Sequence, residues 1–268
     1  MFDNAYFNLG YLDTLSYQDT VIHRLDPRTK LLATLAFIVT IISFPKYEIT
    51  GLLPFLLFPV LIFSFSDVPV KFILKKVLLV SSFAVFIGIF NPLLDRQIIT
   101  SFFGLSVSGG WVSFFSIMLK FFLTITSALL LIATTSFPGV CHALQKMGMP
   151  EIFVSQLLFL YRYIFVLVEE AMKIVRARDM RSFGGKGLGI RPAINLFGTL
   201  FLHALERAER VYQAMLSRGF TGRLNTSKTY CFTIADALFA GLTIIFLYLF
   251  RMHDVVGIMG RVSVRVLG

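Results

Sequence analysis

Five long apolar runs divide the chain. LLATLAFIVTIISF (31–44) stops at Pro45, ITGLLPFLLFPVLIFSF (49–65) carries Pro54 and Pro59, and VLLVSSFAVFIGIF (77–90) ends at Asn91-Pro92. A fourth run spans 111–137, from Trp111 to Phe137-Pro138, and FTIADALFAGLTIIFLYLF (232–250) is the last. A helix that crosses a bilayer needs about 20 apolar residues. The pattern therefore predicts an all-α polytopic membrane protein with about five transmembrane helices. The first run is short for a span, so either Arg28 and Lys30 snorkel toward the interface or the helix is half-buried in protein. The prolines of the second run predict a kink, which neighbouring helices can tolerate by satisfying the freed carbonyls. DVPVKFILKK (67–76) reads as a basic amphipathic connector on the cytoplasmic face, and NPLLDRQIITSFFGLSVSGG (91–110) as a loop on the outer side.

Between 139 and 228 the pattern changes. Pro150-Glu151 opens a long helix, with proline at its start and an acid in its first turn, as the helix dipole favours. Its first half, IFVSQLLFLYRYIFVLV (152–168), is nearly span-like but carries Arg162. Its second half is polar, with Glu169 and Lys173 at the spacing of a helical ion pair. FGGKGLGIRP (183–192) interrupts, and a second helix follows over 193–218. There Phe201, Leu205, Ala208, Val211, Tyr212 and Met215 recur at helical spacing, with Glu206, Arg207, Glu209 and Arg210 on the other side. The organisation expected is a membrane region over 1–138 with about four spans, a cytoplasmic pair of long helices over 139–228, and a final span and tail over 229–268. Five spans put the amino terminus inside and the carboxyl terminus outside. Arg251, Arg261 and Arg265 pull the other way under the positive-inside rule.

Composition sharpens the class. Of 268 residues 56% are hydrophobic and only 15% are charged, with a mean hydropathy of +0.79. Soluble domains carry about a quarter charged residues, so most of this chain is not written for water. The net charge of +10 is clustered between apolar runs, which points to topology and a cytoplasmic surface rather than to nucleic acid. Cys141 and Cys231 lie far apart, excluding a CxxC site or a disulfide framework. No cleavable leader is evident in the first thirty residues. His23, His142, His203 and His253 lack metal-ligand spacing. No GxSxG, HExxH or phosphate-binding Gly-rich loop occurs, so neither catalysis nor a cofactor is expected and any energy comes from a partner. Lys120 and Asp236 fall inside apolar runs. An intramembrane charge is a functional candidate, though Lys120 is equally suited to face a neighbouring helix or snorkel.

The chain also repeats itself. Shifted by 37 positions, Glu169, Ala171, Lys173, Ile174, Ala177, Arg181, Phe183 and Gly185 fall on Glu206, Ala208, Arg210, Val211, Ala214, Arg218, Phe220 and Gly222. Both copies end Arg-x-Phe-x-Gly. Glycine shortly after an arginine marks a helix carboxyl end, where a cation complements the dipole. Two copies, each pairing arginine with a phenylalanine suited to anchor an interface, point instead to a docking element used twice. The small side chains Ala204, Ala208 and Ala214 are suited to a close crossing of the two long helices.

HRLDPRTKLLATLAFIVTIISFP, DVPVKFILKK…GIFNPLLD and ERAERVYQAMLSRGF together resemble the transmembrane T component of energy-coupling factor transporters, within that group most closely the cobalt-type CbiQ subunits. The resemblance covers nearly the whole chain. It implies two X-Arg-X motifs on cytoplasmic coupling helices that dock into two ATP-binding, CbiO-like subunits. It further implies a separate substrate-binding membrane subunit, CbiM-like with or without CbiN, in a plasma-membrane importer of cobalt or nickel. Carried over by residue, the second motif is Ser217-Arg218-Gly219 with Phe220 as anchor. The first is Met180-Arg181-Ser182 with Phe183, with Ala177-Arg178-Asp179 as the competing register. A conventional ABC-type permease subunit and a non-transporting membrane scaffold are the alternatives.

Overall fold

The computed structural model describes residues 15–94, 98–102, 105–181, 190–222 and 232–252. It is helical throughout apart from one short hairpin. The elements are α1 (Pro27–Ile42), a 3₁₀ segment Thr50–Leu56 leading into α2 (Leu57–Ser66), α3 (Val70–Gly88) and α4 (Phe90–Leu94). Strands β1 (Ile98–Phe102) and β2 (Leu105–Ser108) pair antiparallel. Then come α5 (Gly109–Thr134), α6 (Phe137–Lys146), α7 (Glu151–Arg181), α8 (Ile190–Leu216) and α9 (Ile234–Met252). Among the described residues four helices are long and apolar enough to cross a membrane: Val70–Pro92, Gly109–Thr134, Glu151–Arg181 and Ile234–Met252; Thr50–Ser66 is a shorter apolar stretch. The polytopic all-α class expected from the apolar runs is the one observed.

Local signals set the boundaries. Asp26 caps α1 by accepting from the Arg28 amide at 2.9 Å, and Pro27 occupies the first turn, where its missing donor is not needed. Pro54 lies within the 3₁₀ segment, and Asp67 ends α2 in the left-handed region at φ 51°. DVPVKFILKK is not a separate connector. Pro69 caps a helix that runs on without a break from Val70 to Gly88, so the basic stretch and the third apolar run share one axis. Nor is 91–110 simply a loop, since it contains the β1–β2 hairpin.

By contacts, among the described residues, the chain divides into two units, 15–136 with 232–252, and 137–222. The first is a helical bundle built on aromatic packing. Phe37, Ile41, Leu52, Phe55, Leu123 and Leu130 are fully buried. Phe37 stacks on Phe58 with ring centroids 4.2 Å apart, and Phe55 meets Phe44 and Phe246 edge-on at 5.4 and 5.9 Å. Lipid is as apolar as these rings, so inside a bilayer this cluster stabilises through close packing rather than water exclusion. Outward-facing Leu78, Leu79, Phe83 and Phe86 on α3 are exposed, the expected face of a helix solvated by lipid. Buried Thr34 and Thr134 return their hydroxyls to the carbonyls of Lys30 and Leu130 at 2.8 Å, leaving neither group unsatisfied.

Two polar knots close the ends of this bundle. At one end Asp236, with no exposed surface, accepts from the Asp26 amide, the Thr233 amide and the Thr233 hydroxyl, each at 2.7 Å. Buried Lys30 donates to the Thr134 carbonyl at 2.7 Å, and His23 lies 3.3 Å from the Ala133 carbonyl. At the other end Lys120 donates to the carbonyls of Phe44 (2.5 Å) and Pro45 (3.3 Å). Arg251 reaches the Ser43 carbonyl at 3.3 Å and lies over the Phe44 ring. Both cations therefore satisfy the orphan carbonyls after α1. α1 and α9 start together at the first knot and finish together at the second, so they run parallel.

Candidate functional site

The repeated arginine endings belong to α7 and α8, in the unit 137–222. The two helices run antiparallel. The Ser155 hydroxyl near the start of α7 donates to the Gly222 carbonyl beyond α8 at 3.2 Å, and Phe159 meets Phe220 with centroids 6.2 Å apart. Further along, Glu170 of α7 accepts from Arg207 of α8 at 3.0 Å, and its other oxygen lies 3.6 Å from His203 Nδ1. Glu170 and Arg207 are 37 residues apart, the offset of the internal repeat. Equivalent positions of the two copies thus meet in space, as they do at a local two-fold axis. Both copies also carry the same intrahelical ion pair: Glu169–Lys173 at 3.3 Å and Glu206–Arg210 at 3.7 Å.

This arrangement places the two arginines. Eleven residues separate Glu170 from Arg181 and Arg207 from Arg218. At 1.5 Å per residue each arginine lies about 16 Å from the crossing pair, on opposite ends of the helix pair. Met180 and Arg181 are exposed at the end of α7, and Ser217, Arg218 and Gly219 are exposed at the end of α8. Neither Arg181 nor Arg218 forms an ion pair among the described residues. Arg178, the competing register, is half-buried and engaged within the fold. Ser182 and Phe183 lie outside the described residues.

The end of α8 explains why the motif needs its glycine. The Gly219 amide bonds the Leu216 carbonyl at 3.0 Å and the Phe220 amide bonds the Met215 carbonyl at 3.1 Å. This is the Schellman pattern, with Gly219 in the left-handed position at φ 76°. A side chain there would meet open space, so the demand for glycine is conformational rather than steric. The turn leaves Arg218 as the last residue before the reversal. It also sends Phe220 back toward α7, where its half-buried ring packs on Phe159. Phe220 therefore braces this chain's own helix pair, unlike the outward anchor its sequence position suggested.

Beside the crossing the helices are not closely packed. A cavity of about 400 Å³ lies between them, lined by Phe159, Tyr163, Leu167, Ala204, Val211 and Met215 among others. Ala204 and Ala208 border it, whereas Ala214 is exposed. The small residues therefore keep a space open rather than allow a tight crossing. Among the described residues no three His, Cys, Asp or Glu side chains gather as metal ligands. Burial of Cys141 in α6 pushes its thiol up to about 11, away from the nucleophilic thiolate.

Known proteins are similar to this chain over much of its length. A family model described as CbiQ, cobalt transport protein, matches residues 18–230. The energy-coupling factor transporter transmembrane protein EcfT of Ruminiclostridium cellulolyticum is 27% identical over 245 residues, 85% of this chain and 91% of that protein. The protein of the same name from Bacillus subtilis is 27% identical over 218 residues, 76% of this chain and 82% of its own. A protein named as a fused cobalt transport protein, CbiMQ, from Methanocorpusculum labreanum is 33% identical over 90 residues, 33% of this chain and 15% of that one.

Proposed function

The chain belongs to the CbiQ cobalt transport protein family, and we propose that within it this protein is the energy-coupling membrane subunit of an ATP-driven importer of cobalt or nickel. Two CbiO-like ATP-binding subunits each take one arginine tip, Arg181 from α7 and Arg218 from α8. A CbiM-like membrane subunit, with or without a CbiN-like protein, binds the metal. The observation that carries this reading is the disposition of the tips. Two exposed arginines, related by an internal repeat, stand at equal distances on either side of one crossing point, as a pair of equivalent sockets requires. A guanidinium offers five donors in a rigid fork, suited to carboxylates and carbonyls lining a groove. Arg181 is favoured over Arg178 because its side chain is exposed and free of ion pairs within the described fold.

In this reading α7 and α8 lie on the cytoplasmic side of the plasma membrane, and the apolar first half of α7 keeps the pair against the bilayer. The fused CbiMQ relative supports a working partnership with a CbiM-like protein. Hydrolysis of ATP belongs to the partners, and this subunit transmits their movement. The test is uptake of radioactive cobalt and nickel by cells expressing the whole operon, with wild type, Arg181→Glu, Arg218→Glu and the double variant. Loss of uptake at normal protein levels supports the assignment, and the preferred ion identifies the substrate. Unchanged uptake in the double variant reduces the repeated ending to a helix cap.

A further inference from the structure

We infer that Glu170, Arg207 and His203 form a clasp whose role is to set the span between the two arginine tips, making them positioning residues for docking. The inference rests on the reading of Arg181 and Arg218 as docking elements. Three observations carry it. Glu170 lies between two basic side chains of α8, one on each carboxylate oxygen, with Arg207 at 3.0 Å and His203 at 3.6 Å. The pair Glu170–Arg207 joins equivalent positions of the repeat, so any tilt about it moves Arg181 and Arg218 by matching amounts. The helices beside it are separated by a cavity rather than interlocked, so apolar packing there leaves the crossing angle under-determined. A half-exposed ion pair adds little to stability. Its geometric effect is larger, because each tip stands about 16 Å away and converts a small rotation into a large displacement.

The clasp is distinct from the brace at the far end of α8, where Phe220 and Gly222 meet Phe159 and Ser155. The brace holds one end of the pair together, and the clasp then decides how far the α7 tip stands from the α8 tip. Both side chains are suited to this task. The carboxylate of Glu170 has an acceptor for each partner, and Arg207 approaches it from the rim of the cavity.

The test uses the full chain in lipid nanodiscs on a Cys141→Ala, Cys231→Ser background, with nitroxide labels at Met180→Cys and Ser217→Cys. Pulsed electron paramagnetic resonance then reads the distance between the tips. The parent is expected to give one narrow distribution. Glu170→Arg and Arg207→Glu each shift or broaden it by about one helical turn, roughly 5 Å, and the combined swap restores it. Glu170→Gln, which keeps the volume and removes the charge, gives a smaller broadening and guards against a variant that fails to fold. Unaltered helical content by circular dichroism, with restoration in the swap, separates positioning from general destabilisation. Distributions that stay narrow in all single variants, or a swap that leaves them broad, overturn the inference. The labels report on this chain alone, so failure of the clasp is distinguishable from failure of the ATPase reading, which shows in a pull-down of the unlabelled wild type.

Discussion

The bundle and the α7–α8 pair use the same residue types in opposite ways. In the bundle, several charged groups are tied across long sequence distances: buried Asp236 to Asp26, buried Lys30 to Thr134, and part-buried Lys120 to Phe44. Phe37, Phe44, Phe55 and Phe58 fill its core. In α7 and α8 the buried residues among those described are Val154 and Ser155. Some of their charges are paired within a helix or across the crossing. Among the described residues Arg181 and Arg218 are not, and phenylalanines such as Phe197 and Phe201 are exposed. The bundle gives Asp236, Lys30 and Lys120 partners of its own, as a membrane interior favours. The α7–α8 pair leaves much of its apolar and charged surface exposed. In the proposed reading the bundle is the stiff body and the pair supplies the arms that partners hold.

That contrast can be broken from the bundle side most forcefully. Replacing Asp236 with Ala leaves the Asp26 and Thr233 amides without their acceptor and removes one of the two carboxylates near Lys30. The expected cost is about 3 kcal/mol, read as a melting temperature lower by roughly 5–10 °C in detergent. The tip distance between labels at 180 and 217 should not change. A melting temperature equal to that of the wild type would show that the bundle does not depend on its knots.

A smaller effect is expected in the arms. Gly219→Ala forces a left-handed conformation on alanine, at about 1 kcal/mol, and loosens the turn that aims Arg218. Hydrogen exchange should accelerate at the amides of Gly219 and Phe220 while the bundle amides keep their protection. Acceleration throughout the bundle would contradict the division into two units.

Acid should act on the bundle through His23. Burial holds its imidazole below the ordinary value of 6.5, so the folded chain keeps it neutral where an unfolded chain takes up a proton. Its contribution to stability is therefore complete above about 6.5 and is lost as pH falls from there toward the folded value. Between about pH 7.5 and 5, the melting temperature of the wild type should fall more than that of His23→Gln. The smallest effect belongs to the exposed pair Glu206–Arg210, whose removal should cost about 0.3–0.5 kcal/mol and leave the melting temperature nearly unchanged.

Much of this division was legible in the chain, and what was not has a common cause. Three of the five apolar runs, 77–90, 111–137 and 232–250, coincide with helices long and apolar enough to cross a membrane. Run 31–44 lies mostly in the 16-residue α1, 49–65 lies in a shorter apolar stretch, and Glu151–Arg181, expected on the cytoplasmic side, is also long and apolar enough. The helix ends at Arg181 and Arg218 were legible from local signals, although the left-handed cap of α8 is Gly219, whose counterpart in the first copy is Ser182, rather than the shared Gly222. Asp236 looked unpartnered in sequence because one partner, the Asp26 amide, lies 210 positions away and the other, Thr233, carries no charge to mark it. Lys120 looked like a lone intramembrane charge because the carbonyls that receive it precede it by 76 and 75 positions. No periodicity reports such pairs. The basic stretch 67–76 was separated from the third span by its composition, although Pro69 at the helix start and unbroken helical residues after it favour one element. Phe220 was expected to face outward because the local pattern is silent on the direction a Schellman turn sends the next side chain.

The central claim is that Arg181 and Arg218 are two equivalent attachment points for an ATP-driven motor. Its most direct measurement is the amount of ATP-binding subunit retained on the tagged full chain after detergent extraction, for wild type, Arg181→Glu, Arg218→Glu and the double variant. The account predicts partial retention in each single variant and loss in the double one, with unchanged melting temperature. Full retention in the double variant, from a protein that folds and accumulates normally, would contradict it.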